Sequence, residues 1–352
     1  MATGTRRGKG EDIVKVLFIG GTGNISTYCV ELALARGHEV TLLNRGREEA
    51  RLGQPVNTIH GDRHDRSLLR RVAEEGRFDV VCDFIGYTPE EAEDDVAAFA
   101  GQVGQLVYVS SVAAYQKPPR HYVHTESTPL KNPFWKYAQD KIASEEVFLR
   151  AYREQGFPVT IVRPWHTYGE TRVPTATMGA GYTAVDRARK GRPLLVHGDG
   201  QSLWGLTFSG DFAVGFVGLL GKEAALGEAV HITTEEILTW DQIYRTLARA
   251  AGGPEPELVH LASETIHRLD PELGTPLLGD LAYSAVYDNS KLKRLVPEYR
   301  AKTTWAEGLA KAIAWHDADP RRQVVDAGLD ARIDRLSEVA RRIRGLNASE
   351  NA

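Results

Sequence analysis

Val14-Lys15-Val16-Leu17-Phe18-Ile19-Gly20-Gly21-Thr22-Gly23-Asn24-Ile25-Ser26 decides the fold. The run Val14 to Ile19 is short, rich in β-branched residues and closed by glycine, which predicts a buried parallel strand. From Asn24 onward Ile25, Cys29, Leu32 and Ala33 recur at helical spacing, and Arg36-Gly37 ends that helix with a cation and a C-cap glycine. A second strand starts at Glu39 and runs to Leu43. The unit is strand, glycine turn, helix, strand, and its turn aims the free N–H groups of a helix N-terminus, at Asn24 and Ile25, toward a pyrophosphate. Gly20 permits the tight turn and Gly23 allows close approach of the phosphates, while Ser26 stands where a third glycine is usual.

The end of the second strand selects the nucleotide. A carboxylate there would bind the ribose 2′-hydroxyl of NAD, but this chain has Asn44-Arg45-Gly46. A guanidinium able to pair with a 2′-phosphate leans the reading toward NADP, and NAD stays open because Arg45 has an alternative place over the adenine or in solvent.

Outward from this unit, strand and helix alternate: strands at Val56 to Ile59, Phe78 to Phe84, Gln105 to Val109 and Val159 to Val162, and helices at Ser67 to Glu75, Pro89 to Ala100 and Phe134 to Gln155. The pattern predicts an α/β fold, a Rossmann-type doubly wound parallel sheet, over residues 12–168. Asp62, Phe84, Gly86, Ser111 and Pro164 fall at strand ends on the edge where such sheets bind ligands. Lys117 to Pro133, with four prolines and no clear period, reads as a loop beside the site and a candidate lid. Beyond Gly169 the alternation fades, which predicts a smaller C-terminal α/β substrate lobe over 169–327, interleaved with the first. An amphipathic helix and tail follow over 328–352, its helix docked on its own chain. Residues 1–11 are polar and read as a disordered tail.

The chain has 352 residues, 42% apolar and 26% charged, so it can bury a large core. Its net charge of −4 leaves no basic field for phosphates and argues against nucleic acid as the main partner. Cys29 and Cys82 are the only cysteines, which suggests a reducing cytoplasm, and no apolar run approaches a membrane span. Histidines 60, 64, 121, 124 and 166 form no ligand pattern, so no metal is expected.

Tyr137 and Lys141 stand four residues apart and share a helix face. An ammonium near a phenol lowers its pKa from about 10, making tyrosine a usable base when an alcohol is oxidised and the matching acid when a ketone is reduced. Ser111 at a strand end can hydrogen-bond the reacting oxygen, with Ser110 the residue that points into structure.

With these residues in hand, the chain resembles the extended short-chain dehydrogenase/reductase family of the NAD-dependent epimerase/dehydratase kind, from Val14 to about Leu309. The glycine turn, Gly61-Asp62, Ser111 before Tyr115, the Tyr137/Lys141 pair, Arg163-Pro164 with Tyr168-Gly169, and Gly198-Asp199-Gly200 leading to Asp211 carry the resemblance. It implies a catalytic set of Ser111, Tyr137 and Lys141, with Tyr137 and Lys141 also at the nicotinamide ribose and Asp62 at the adenine. It implies a homodimer and a sugar, nucleotide-sugar or nucleotide substrate oxidised at a secondary hydroxyl through a keto intermediate.

The departures narrow this. Val112-Ala113 follows Ser111 where dehydratases carry an acid, which argues against dehydration and decarboxylation. His166 stands where nucleotide-sugar epimerases have asparagine, and no arginine stands near Trp204, so these two are the candidate substrate contacts, with Arg172 and Arg187 as replacement cations. An NADPH-dependent carbonyl or keto-sugar reductase is the first alternative. A non-catalytic cofactor-binding protein is the second; the chloroplast stem-loop binding proteins, which share the glycine turn and Asn-Arg-Gly, are associated with RNA.

Overall fold

The computed structural model describes residues 13–46, 52–53 and 55–350, the last five by backbone alone, so the expected tail at 1–11 lies outside the described residues. Seven parallel strands form the central sheet: β1 (Lys15–Ile19), β2 (Glu39–Asn44), β3 (Asn57–His60), β4 (Val80–Asp83), β5 (Gln105–Val109), β6 (Val159–Pro164) and β7 (Ala229–Ile232). Their order is β7-β6-β5-β4-β1-β2-β3, with Ile19 beside Leu43 and beside Asp83 in register. The order reverses between β1 and β4, and that switch point opens the crevice where ligands bind in doubly wound sheets.

Val16, Leu17, Phe18 and Ile19 are wholly buried, because helices cover both faces of the sheet. Four helices follow the first strands: α1 (Ser26–Ala35), α2 (Arg66–Gly76), α3 (Pro89–Phe99) and α4 (Lys136–Gln155). Each starts or stops for a local reason. Asp65 accepts the N–H groups of Ser67 and Leu68 at the head of α2, Thr88 and Glu91 form a capping box at the head of α3, and Gly156 ends α4 in the left-handed region.

The rest of the chain builds a second core and returns to the first. Trp165, Trp204, Trp240 and Trp305 are fully buried in one cluster. By contrast, α5 (Ser209–Val217) packs on α1, and Leu292, Val296 and Tyr299 close the face that carries Phe18. The segment 117–133 is fastened rather than free, which corrects the expectation of a lid. Lys117 forms a buried ion pair with Asp280 at 2.7 Å, Val123–His124 pairs in parallel with Val286–Tyr287, and Asn132 donates to the carbonyls of Ala113 and Gly279. It is a strap between the lobes.

The terminal helix α6 (Ala327–Glu350) lies on the second core through Ile333, Leu336 and Ala340. Arg187, completely buried, fixes it: its guanidinium reaches Asp330 at 2.6 Å and Asp334 at 2.9 Å and donates twice to the Pro193 carbonyl. It is therefore occupied in structure and not available as a substrate cation. Replacing Arg187 with Met removes its bonds to the Pro193 carbonyl and leaves Asp330 and Asp334 to Arg192 alone, and we expect a loss of about 2 kcal/mol. Calorimetry checks the loss, and hydrogen exchange should quicken along 327–345 first.

Candidate active site

The glycine turn follows β1 directly. Gly20 has φ +107° and donates its N–H to the Leu43 carbonyl at 2.9 Å; a Cβ there would stand 3.2 Å from the Ile85 side chain. The Gly23 N–H is bonded by the Ser26 hydroxyl at 2.9 Å, so the serine at the third motif position both packs, buried, and ties the turn. Asn24 donates to the Thr167 carbonyl while its own side-chain oxygen is buried with no partner among the described residues. A left-handed turn that rejects side chains and a helix end with free N–H donors fit a dinucleotide pyrophosphate, while the unpartnered Asn24 oxygen is an acceptor and fits a hydroxyl donor instead.

A groove of about 1180 Å³ runs from this turn, and Gly20, Gly23, Asn24, Ile25, Asn44, Arg45, Asp62 and Phe84 line it. At its adenosine end Asn44 accepts the Gly46 N–H at 2.9 Å, and the Arg45 guanidinium stands 3.9 Å from Asp62. Asp62 also accepts from the backbone and ring of His64, which holds its carboxyl below the usual range and raises the imidazole. Pro164 is buried at the end of β6 and does not line the groove.

Behind Tyr87 and Val109, which line the groove while Gly86, Ser111, Tyr137 and Lys141 do not, Ser111 follows β5 and caps the short turn Val112–Ala114 by accepting the Ala113 N–H at 3.1 Å. Its hydroxyl lies beside the Tyr137 phenol and favours its ionised form; Tyr137 sits in the first turn of α4. Lys141, one turn on, is buried and donates to the carbonyls of Gly86 at 2.7 Å and Val109 at 2.8 Å. Its ammonium lies 4.9 Å, 4.7 Å and 5.9 Å from the ring centres of Tyr87, Tyr108 and Tyr137.

This corrects the acid–base expectation. Burial pushes the Tyr137 phenol up to about 12, the Ser111 hydroxyl only partly offsets it, and Tyr87 and Asp280 add to it. The lysine does not face the phenol oxygen as a counter-ion; it faces two carbonyls, and burial pushes it down to about 8. Ser110 points inward to Glu145, which also binds Arg163 through both oxygens.

The substrate side also differs from expectation. Trp204 is 1% exposed, stacked on Trp240 and edge-on to Trp165, so it is core and touches the site only through His166, whose Nδ1 accepts its indole N–H at 2.8 Å. His166 adopts φ +30°, an uncommon conformation for a side chain that is not glycine. Burial first, then Arg172, pushes its imidazole down to about 4, so it is neutral at pH 7. Arg172 lines the groove and is exposed.

The sequence reading missed Asp83, Arg63 and Glu91 beneath the groove, Tyr87 above Lys141, and the Lys117–Asp280 pair. A lone carboxylate closing the apolar strand Val80–Asp83 was the available signal.

A nucleotide groove at the switch point, with a serine, a tyrosine and a buried lysine behind its wall at Tyr87 and Val109, defines a dinucleotide-dependent class. Residues 16–232 match the family described as the NAD dependent epimerase/dehydratase family, and the chain belongs to it. Over 264 residues it is 28% identical to the chloroplast stem-loop binding protein of 41 kDa b of Arabidopsis thaliana, covering 70% of this chain and 65% of that one. It is 27% identical over 293 residues to 2'-dehydrokanamycin reductase of Streptomyces kanamyceticus, covering 83% and 82%. The solved UDP-glucose 4-epimerase of Thermus thermophilus, in complex with NAD, superposes with TM-score 0.68 at 24% identity over 86% of this chain and 99% of that one. That likeness speaks for the fold.

The Lys117–Asp280 pair is buried beside Tyr137, so removing one partner should cost more than removing both. Lys117→Met is expected to lose about 3 kcal/mol, and Lys117→Met with Asp280→Leu to recover most of it. Thermal denaturation of the two variants measures this; equal losses would contradict it.

Proposed function

We propose that the chain is a nicotinamide-dependent, epimerase-like oxidoreductase that acts on a secondary hydroxyl of a sugar, nucleotide sugar or nucleotide through a transient ketone. The observation that carries the reading is the arrangement behind the groove wall at Tyr87 and Val109: a phenol beside Ser111, one helical turn from a buried ammonium.

In this reading Gly20, Gly23, Asn24 and Ile25 receive the pyrophosphate, and Asn44, Arg45 and Asp62 the adenosine. Phe84 and Gly86 border the nicotinamide half, Pro164 backs it, and Tyr137 and Lys141 hold its ribose. The bound dinucleotide supplies a hydride acceptor and donor. Tyr137 takes the substrate hydroxyl proton at its Oη and returns it when the hydroxyl re-forms; Ser111 donates to the reacting oxygen. With the phenol near 12, removing a proton at neutral pH needs positive charge brought to the site, which an oxidised nicotinamide carries. Neutral His166 offers a hydrogen bond without charge, and Arg172 a charge, to the remainder of the substrate.

Arg45, with no acid at the end of β2, supports a preference for NADP over NAD. A reducing cytoplasmic setting is supported by Cys29 and Cys82, both buried and unpaired; a homodimer rests on the family resemblance alone. Among the described residues no helix is long and apolar enough to cross a membrane. An RNA-associated role, raised by the stem-loop binding relative, finds no support in a net charge of −4.

Denaturing fresh protein and identifying any released nucleotide by mass spectrometry tests the reading. Near-stoichiometric NAD or NADP is expected of an enzyme that recycles its cofactor in place. An empty protein that takes up NADPH from solution would favour the one-way reductase, the activity in the name of the Streptomyces relative. Tyr137→Phe is expected to cut turnover by about 10³-fold and leave cofactor affinity nearly unchanged; retained turnover would remove Tyr137 from the mechanism.

A further inference from the structure

Lys141 is buried, and among the described residues no carboxylate lies within 4 Å of its ammonium. What holds it is backbone, and the Gly86 carbonyl is half of that hold. The turn carrying Gly86 is itself held from below. Asp83 Oδ1 accepts the N–H groups of both Ile85 and Gly86 at 2.8 Å. Glu91 Oε2 accepts the next two, from Tyr87 at 2.6 Å and Thr88 at 2.9 Å. Four consecutive backbone donors, 85 to 88, thus end on two buried carboxylates.

One guanidinium joins those carboxylates. Arg63, 3% exposed, reaches Asp83 Oδ2 at 3.2 Å, Glu91 Oε1 at 3.5 Å and Asp95 at 2.7 Å. Burial, with Asp83 beside it, pushes the Asp95 carboxyl well above the carboxylate range, and Arg63 opposes that shift. The fit is close: a Cβ on Gly86 would stand 2.1 Å from Asp83 Oδ2. From Glu91 the contacts continue to the groove rim, where its Oε1 meets His64 Nε2 at 2.8 Å and the other ring nitrogen meets Asp62 at 2.7 Å. An unbroken run of polar contacts therefore joins the adenosine end of the groove to Lys141.

We propose that Asp83 is a positioning residue of this site: with Glu91 and Arg63 it shapes the 85–88 turn, and through the Gly86 carbonyl it orients and charge-balances the Lys141 ammonium toward the cofactor groove. The proposal rests on the reading of Lys141 as a cofactor contact. The charges around the ammonium agree with it. Asp83 is the foremost group keeping Lys141 protonated, Glu145 and Glu91 act in the same sense, Arg63 opposes them, and the Tyr87, Tyr108 and Tyr137 rings enclose it.

Fluorescence titration with NADPH and NADH between pH 6 and 10 tests this. In the wild type, affinity should decline as pH rises through about 8, where the ammonium is lost. Asp83→Asn removes the foremost charge favouring that ammonium, so the decline should begin at least one pH unit lower, with affinity at pH 8 reduced about tenfold. An unmoved midpoint, whether affinity is unchanged or uniformly weaker, overturns the proposal, since a merely structural role would not displace it. If Asp83→Asn does not fold, Gly86→Ala serves, because it keeps every charge and forces the Asp83 carboxylate aside. A midpoint lowered as in Asp83→Asn is expected there, because the carboxylate is pushed away from the ammonium, and a midpoint kept at about 8, whatever the affinity, would overturn the proposal. The wild-type curve tests the cofactor reading and the displacement tests Asp83, so the two fail separately.

Discussion

One ammonium kept in a dry place fixes the geometry of this site. Burying a charge costs several kcal/mol unless hydrogen bonds replace its water, and each bond from a charged donor returns about 1.5–3 kcal/mol. Lys141 takes its bonds from the carbonyl of Gly86, just past β4, and of Val109, at the end of β5. The lysine can therefore be satisfied only when α4 lies across the ends of both strands. That same placement sets Tyr137 beside Ser111, so the demand of one buried charge brings together the groups proposed to react.

The second lobe is built onto this arrangement from outside. The strap from Lys117 to Pro133 binds it at three places, and Gly279 packs so closely on Trp135 that a Cβ there would stand 2.6 Å from the tryptophan side chain. Trp135 immediately precedes the helix that bears Tyr137. That part of the chain is thereby packed directly against the head of α4, and the tryptophan cluster and the Arg187-anchored terminal helix complete its core.

Much of the sheet was legible because most of its strands are closed apolar runs, the edge strand Asn57–His60 being the polar exception. Gln105–Val109 begins and ends as expected, and β4 is shorter than the expected Phe78 to Phe84. The seventh strand, Ala-Val-His-Ile, was not foreseen: it is four residues long with a histidine inside, and it is a strand because β6 offers an edge. Helical spacing put Tyr137 and Lys141 on one face, but spacing does not say where an ammonium goes, and here carbonyls from two distant strands take it. Trp204 stood as a candidate substrate contact because an indole beside glycine has no local mark of burial. Arg63, Asp83 and Glu91 were invisible as a group, since 20 to 32 positions separate Arg63 from its acceptors.

The account stands or falls on where the nicotinamide ribose sits. A crystal structure with NADPH bound measures it. We expect Lys141 Nζ and Tyr137 Oη both within hydrogen-bond reach, about 3 Å, of the ribose hydroxyls, with Lys141 still held by the Gly86 carbonyl. A ribose lying elsewhere, with Lys141 bonded only to backbone and Tyr137 to Ser111 alone, would contradict it.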